Sequence, residues 1–263
     1  MAGERPLEDG WLPDTPVDDT VQRQFVHNQA EANELLARAL HGAAAHTRDV
    51  FLADSRTPVP YLNQAILRRP LLELGDDVLD EIDQFFEGVD RPVTLLSMWP
   101  TPNLAGAGWH LVGHPVLVVR GPGPTRAVPA EDVDVRPARS EADFAAAEHI
   151  VVEGYPIPEA AGLPSGGLFP PGLVDSGYTI RLGLLGGEPV AIGNSHVAAD
   201  VVNLCLGATL PQARRQGVWE ALVWARVAEA PELPAVAYTS DLSRPGFLRM
   251  GFLPVTRFTL WVR

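Results

Sequence analysis

NLCLGATLPQARRQGVWEAL, residues 203–222, runs from an apolar strand through a turn at Pro211 to Arg214-Arg215-Gln216-Gly217. It continues into a helix with Val218, Leu222, Val223 and Val227 in register. A strand feeding a glycine-containing turn that opens a helix leaves a row of unpaired backbone N–H groups at the helix N-terminus. The macrodipole and two arginines in the turn make that end suited to a phosphate or pyrophosphate. An ordinary strand–turn–helix with two exposed arginines has the same pattern, so the residues nearer the C-terminus must decide between the two.

A second apolar run, AVAYT (235–239), leads into Ser240-Asp241 and then RPGFLRMGF, 244–252. The alternating Val255, Arg257, Thr259 and Trp261 come after it. Taken with residues 203–222, this order resembles the GNAT superfamily of CoA-dependent acyltransferases. There, a proline six residues before the first glycine of R/Q-x-x-G-x-G/A follows the fourth strand, and a Gly-Phe pair closes a short helix after the fifth. Pro211, Arg214 and Gly217 keep the first spacing, and Gly251-Phe252 supplies the second element. The resemblance covers residues from about 132 to 263.

Composition sets the outer limits. A chain of 263 residues has room for one large domain or two ordinary ones. Its hydrophobic content of 46% is that of a soluble globular protein. No apolar run approaches the roughly 18–20 residues that span a bilayer. The acidic start MAGERPLEDGWLPD is unlike a signal peptide, and a lone Cys205 fits a reducing compartment, so a cytoplasmic location without membrane attachment is expected. All 20 basic residues are arginine, and the net charge is −13. Residues 201–263 carry seven arginines against Glu220, Glu229, Glu232 and Asp241, or +3, which leaves −16 on residues 1–200. Nucleic acid is therefore not an expected partner.

Read in order, residues 1–20 form an acidic, proline-rich tail, and a helix is expected from Val21 to about Ala45. Strands are expected at 61–67, 92–98 and 113–120, with a helix at 76–88 capped by Asp76 or Asp77. GPGPTRAVPAED (121–132) is a Pro/Gly-rich connector. After it come a strand at 133–138, a helix at 140–154 capped by Ser140, and an irregular Pro/Gly-rich loop at 155–176. Loops of that length act as lids or binding loops, or are mobile. A hairpin at 179–185 and 188–198 turns on Gly186-Gly187.

The chain also repeats. Setting residue n against n+143 aligns 92–120 with 235–263 without a gap. Val93/Val236, Ser97/Ser240, Pro102/Pro245, Gly108/Gly251, Val112/Val255, Leu117/Leu260, Val119/Val262 and Arg120/Arg263 are identical. The expected architecture is α+β, with two GNAT-like halves, each a mixed, mostly antiparallel sheet flanked by helices. The division is 21–122 for a degenerate first half, 123–132 for the linker and 133–263 for the acyltransferase half. At the same offset Arg214, Arg215 and Gly217 meet Leu71, Leu72 and Leu74, and the corresponding helix of the first half, at 76–88, opens with Glu73, Asp76 and Asp77. Those carboxylates would satisfy the amides and repel a pyrophosphate, so the first half is not expected to bind CoA.

The resemblance implies acetyl-CoA or another acyl-CoA as co-substrate, no metal, and transfer of the acyl group, most simply acetyl, to the amine of a small molecule. Backbone groups of Gly207, Ala208, Thr209 and Leu210 would pair with the pantetheine arm. Amides of Arg214, Arg215, Gln216, Gly217, Val218 and Trp219 would hold the pyrophosphate, with Ser240 and Phe247 beside the same cofactor. Three positions depart from the pattern. Trp219 replaces the second Gly/Ala, Phe247 replaces the tyrosine taken as the acid for the thiolate, and Asn203 stands nearest to where some members carry a carboxylate base. A GNAT-like module that binds acyl-CoA without turnover, or runs other thioester chemistry, is the alternative. His196, Glu153 and Tyr155 are the candidate catalytic groups, each weighed against a structural or surface role. Glu159 and Asp175 lie in the long loop and would attract a cation, and Cys205 reads as a small core residue rather than a nucleophile. The acidic first 200 residues suggest a cationic acceptor. Monomer and homodimer are both open.

Overall fold

The computed structural model describes residues 20–125, 132–155, 157–174 and 176–263. The tail at 1–19, linker residues 126–131 and Asp175 lie outside the described residues.

The first helix, α1 (Val21–Ala39), starts at Thr20, whose side chain accepts from the Arg23 amide. It buries Phe25, Val26, Ala32 and Leu36, but also Asn28, Gln29 and Asn33. Buried amides must find partners, and these find them in both halves of the chain. Asn203 Nδ2 donates to Gln29 Oε1 (3.0 Å), Gln29 Nε2 to Asn33 Oδ1 (2.9 Å), Asn33 Nδ2 to Gln64 Oε1 (2.8 Å), and Gln64 Nε2 to Thr94 Oγ1 (3.2 Å). Asn28 Nδ2 adds bonds to the carbonyls of His196, Ala198 and Val201.

The helix stops well short of Ala45. His41 takes a left-handed φ of 57°, and a Cβ on Gly42 would overlap the Asp54 carbonyl. The Ala-rich stretch beyond it is instead strand β1 (Ala43–His46), antiparallel to β2 (Val50–Asp54). Next come β3 (Asn63–Leu67), preceded by a 3-10 turn at Pro60–Leu62, then α2 (Asp77–Phe85) and β4 (Thr94–Ser97). The strand expected at 113–120 is two strands, β5 (His110–Gly113) and β6 (Val116–Arg120).

Beyond the connector lie β7 (Val133–Pro137), α3 (Glu141–Gly154), β8 (Tyr178–Leu185), β9 (Glu188–Ala198) and β10 (Val201–Thr209). They are followed by α4 (Val218–Val227), β11 (Ala235–Thr239), α5 (Arg244–Arg249), β12 (Leu253–Arg257) and β13 (Thr259–Val262). Ser140 and Asp143 form a reciprocal capping box at the start of α3.

These strands form two sheets, β1-β2-β3-β4-β13-β5 and β12-β6-β11-β10-β9-β8-β7. Within each, a single neighbouring pair among the described residues runs parallel, β3 with β4 and β10 with β11. The fold is therefore α+β, with two mixed, mostly antiparallel sheets flanked by helices. The closing strands, however, are exchanged. β6, from the first half of the chain, lies between β11 and β12, while β13, the last strand of the chain, lies between β4 and β5. These are the two tracts the repeat sets against each other. The connector at 121–132 thus separates the halves of the chain but not the two sheets. Trp261 packs in the first sheet's core with Leu95, Leu104 and Trp109. α1 packs into the seam through Phe25 and Val26, which meet Phe51, Ile66, Leu117, Val236 and Phe258.

Candidate active site

The parallel pair in the second sheet barely exists. β10 meets β11 only at Val202↔Ala235 and Asn203↔Val236, although β10 continues to Thr209. Its register with β9 slips between Asn203 and Leu206, so one extra residue is accommodated there. Such a bulge bends the strand, and β10 leaves β11 at that point. Beyond the bulge β10 stays bonded to β9, ending with the Leu210 amide on the Val190 carbonyl (2.9 Å). Antiparallel bonding alternates residue by residue, so the amides of Gly207 and Thr209 point away from β9 and toward the gap.

A cavity of about 340 Å³ passes through that gap. Its walls come from both faces of the sheet: Gln29, Asn33 and Leu36 of α1 and Tyr155 beside α3 on one face, Trp219 and Arg226 of α4 and Phe247 of α5 on the other. The first half contributes Tyr61 and the turn at His114. The long loop contributes Ile157, Leu168 and Phe169, and Glu148 on α3 orders it by accepting from the amides of Gly166 (3.0 Å), Leu168 (2.8 Å) and Phe169 (3.0 Å).

All four tyrosines of the chain, Tyr61, Tyr155, Tyr178 and Tyr238, line this cavity, as does its single cysteine. Burial raises the pKa of each phenol. Tyr155, Tyr61 and Cys205 add to the effect at Tyr238, while Asn194 Nδ2, donating to the Tyr178 hydroxyl at 3.1 Å, offsets part of it there. These groups hold their protons at neutral pH and can act as acids but not as bases. Burial likewise pushes the Cys205 thiol up to about 12, which leaves it protonated and poorly nucleophilic.

The sequence-predicted residues separate into those at the cavity and those away from it. Gly207, Trp219, Ser240, Phe247 and Tyr155 line it. His196 does not. It is buried, with Nδ1 2.9 Å from the Gly177 carbonyl and Nε2 3.3 Å from Glu31 Oε1, and its own carbonyl is held by α1. Glu153 lies on α3 outside the cavity lining. Ala208 and Leu210 are buried among core residues facing α3, and Val218 packs on Ala191 and Leu222. Arg214 braces the turn: its Nε donates to the Thr209 carbonyl (3.2 Å) and its Nη2 to that of Gly154 (3.0 Å). Arg215 takes φ 65°, and Gln216 donates to the Gln212 carbonyl. Gly217 is the left-handed N-cap of α4 (φ 83°) and supplies no side-chain acceptor, so the amides of that first turn keep no side-chain cap.

Trp219 shapes the α4–α5 side. Its indole lies between Gly207 of β10 and Gly246 of α5, where a Cβ would come within 2.6 Å of the ring, and it meets Phe247 edge-on at 5.1 Å. The indole thus lies where the second small residue of the R/Q-x-x-G-x-G/A pattern would leave space.

Tyr61, Tyr178 and Tyr238 were not legible as site residues, because they are far apart in the chain and meet only in three dimensions. Nor was Arg226, which is 1% exposed and lies flat on Gly193. A signal for Arg226 was present, since glycines inside strands, here Gly193 and Gly207, mark a close approach. Among the described residues no helix is long and apolar enough to cross a membrane, and no group of three or more His, Cys, Asp or Glu could hold a metal ion.

No family model matches the chain, and no curated protein matches it in sequence. Solved structures do match in shape. A GCN5-related N-acetyltransferase from Kribbella flavida is 19% identical with a TM-score of 0.60, covering 89% of this chain and 95% of that one. One from Sphaerobacter thermophilus is 12% identical with a TM-score of 0.52, covering 91% of each chain. A tandem GNAT protein from the clavulanic acid biosynthesis pathway is 12% identical with a TM-score of 0.50 over 94% of this chain and 96% of that one. With two halves, a parallel pair in each sheet and the second pair splayed at a bulge, the chain has the fold of these GNAT proteins.

Proposed function

We propose that the protein transfers an acyl group, most simply acetyl, from acyl-CoA to the amine of a small molecule, with the cofactor held by the second half alone. The observation that carries this reading is the gap between β10 and β11, which the cavity crosses from one face of the sheet to the other. Residues 207–210 would run beside the pantetheine arm, and the amides at the start of α4, free of any side-chain cap, would take the pyrophosphate. An amine seated among Tyr155, Tyr61 and the α1 amides reaches the thioester through the gap. As its nitrogen bonds to the carbonyl carbon, the outward-facing Gly207 amide stabilises the oxyanion. The C–S bond then breaks, and a cavity phenol, Tyr238 or Tyr155, protonates the departing thiolate. Phe247 in the place of a tyrosine therefore does not leave the site without an acid. Exposed His114, the only histidine among the described residues of the cavity lining, would take the amine's proton. Holding the two reactants together supplies much of the acceleration.

The test is calorimetric titration with acetyl-CoA, followed by thiol release over a panel of amines. Absence of binding at millimolar acetyl-CoA would end this reading. A second reading, an acyl-CoA-binding module without turnover, is favoured by one observation, the Trp219 indole wedged against Gly246. Trp219→Ala separates the two. If the indole is a plug, the variant binds acyl-CoA more tightly than the parent, and if it is a wall, the variant binds no better.

A further inference from the structure

Arg226 is a buried cation with no carboxylate of its own among the described residues. Its Nε donates to the Leu222 carbonyl (3.0 Å), and its Nη1 to those of Asn194 (3.1 Å) and Leu206 (3.2 Å). The acid that acts on it, Glu229, is already committed, accepting from Arg181 Nε (2.8 Å) and Ser195 Oγ (2.7 Å). Arg181, Glu229 and Arg226 together leave one uncompensated positive charge inside the protein. A buried charge without a contacting counter-charge is costly, and the hydrogen bonds that hold this one all go to backbone carbonyls.

The guanidinium lies in a slot made by two glycines that face each other across β9 and β10, Gly193 and Gly207. A Cβ on Gly193 would lie 2.7 Å from Arg226 Nε, so that position must be glycine for the arginine to lie there. Gly207 is different. A Cβ there would meet only ordinary contacts, Trp219 Nε1 at 3.5 Å and Arg226 Nη2 at 3.7 Å. Among the described residues neither of these two N–H groups donates a hydrogen bond, and all three residues line the cavity. A hollow over a glycine is thus flanked by two free donors, one of them fully charged.

We propose that this hollow binds a carboxylate, so that a small molecule held in the cavity carries one, anchored by Arg226 Nη2 and Trp219 Nε1 above Gly207. A carboxylate accepts from both donors at once and supplies the missing charge. From there the cavity crosses to the other face of the sheet, where Tyr155, Tyr178 and Phe169 suit an apolar or aromatic body. The acidity of the first 200 residues does not extend into this spot. The one acid among the described residues of the cavity lining, Asp241, is exposed and paired with Arg244 at 2.7 Å.

The binding itself is independent of acyl transfer and is tested without CoA. Titration of the full chain with benzoate and with its neutral isostere benzamide should show benzoate binding about tenfold or more tightly. Gly207→Ala fills the hollow while making no clash, so it should keep the parent's melting temperature and lose the preference. Trp219→Phe should weaken benzoate by about tenfold and leave benzamide unchanged. A second arm compares succinyl-CoA with acetyl-CoA. Stronger binding of the succinyl thioester, abolished by Gly207→Ala, assigns the carboxylate to the acyl group, whereas benzoate binding alone assigns it to the other substrate. Equal binding of benzoate and benzamide together with equal binding of the two thioesters would overturn the proposal, as would a preference that survives Gly207→Ala. Neither result would touch acyl transfer, which stands or falls on acetyl-CoA and thiol release.

Discussion

The two sheets are built from corresponding strands, yet one is closed and the other open. In the first, the short β3 pairs with β4 at Gln64↔Thr94, Ala65↔Leu95 and Ile66↔Leu96, and Gln64 reaches across to the Thr94 hydroxyl. In the second, the nine-residue β10 touches β11 at two positions and then bends away. The next helix differs in the same sense. α2 begins at Asp76, which accepts from the Val78 amide and is gripped by Arg69 at 2.6 and 2.9 Å. α4 begins at Gly217, with nothing but backbone. One bulge and one capping residue thus separate a sheet whose parallel pair stays closed from a sheet with a through-going cavity. The exchange of closing strands ties the closed sheet to the other.

The largest effect should come from breaking that exchange. Trp261 sits at the end of the chain but in the first sheet's core, so Trp261→Ala should cost about 3–5 kcal/mol and unfold both sheets in one thermal transition. Two separate transitions would mean that the halves are independent. Next is the cap. Since Arg69 holds the Asp76 carboxyl well below the usual range, its stabilisation is present above the unfolded-state pKa of about 3.9 and fades as pH falls toward the lower folded value. Asp76→Ala should lose about 1–2 kcal/mol at neutral pH and flatten the acid limb of a pH–stability curve. It should not alter acyl-CoA binding, because this helix is not the one proposed to hold it. Gly217→Ala forces a side chain into φ 83°, at a cost of about 1–2 kcal/mol, and should weaken acyl-CoA binding as well. The smallest stability effect belongs to Tyr238→Phe and Tyr155→Phe, within about 1 kcal/mol. One of them should lower kcat by about a hundredfold with little change in KM for acyl-CoA. If neither does, water protonates the thiolate.

The repeat was legible because equivalent strands kept their spacing, and the glycines at 108 and 251 fell on the same offset. Which sheet each closing strand would join was not, since an offset pairs segments in the chain and carries no information about exchange. β1 was hidden because Ala43–His46 continues the composition of α1, and only the backbone at His41 and Gly42 ends the helix. The turn at 211–217 could be read from its glycine and proline. The walls of the cavity could not. Tyr155 stood out beside the long loop, but Tyr61, Tyr178 and Tyr238 join it from separate parts of the chain, and His196, which looked available on its strand, is held from the side by α1 and by the Gly177 carbonyl. Side chains whose partners are distant in sequence leave no local pattern to detect.

The most direct test is a crystal structure grown with excess acetyl-CoA. One molecule per chain is expected, its pantetheine arm between β10 and β11 and its diphosphate against the first turn of α4, with none at α2. Density for the cofactor elsewhere, or a Trp219 indole still filling the passage with no cofactor beside it, would contradict an open cradle at that helix.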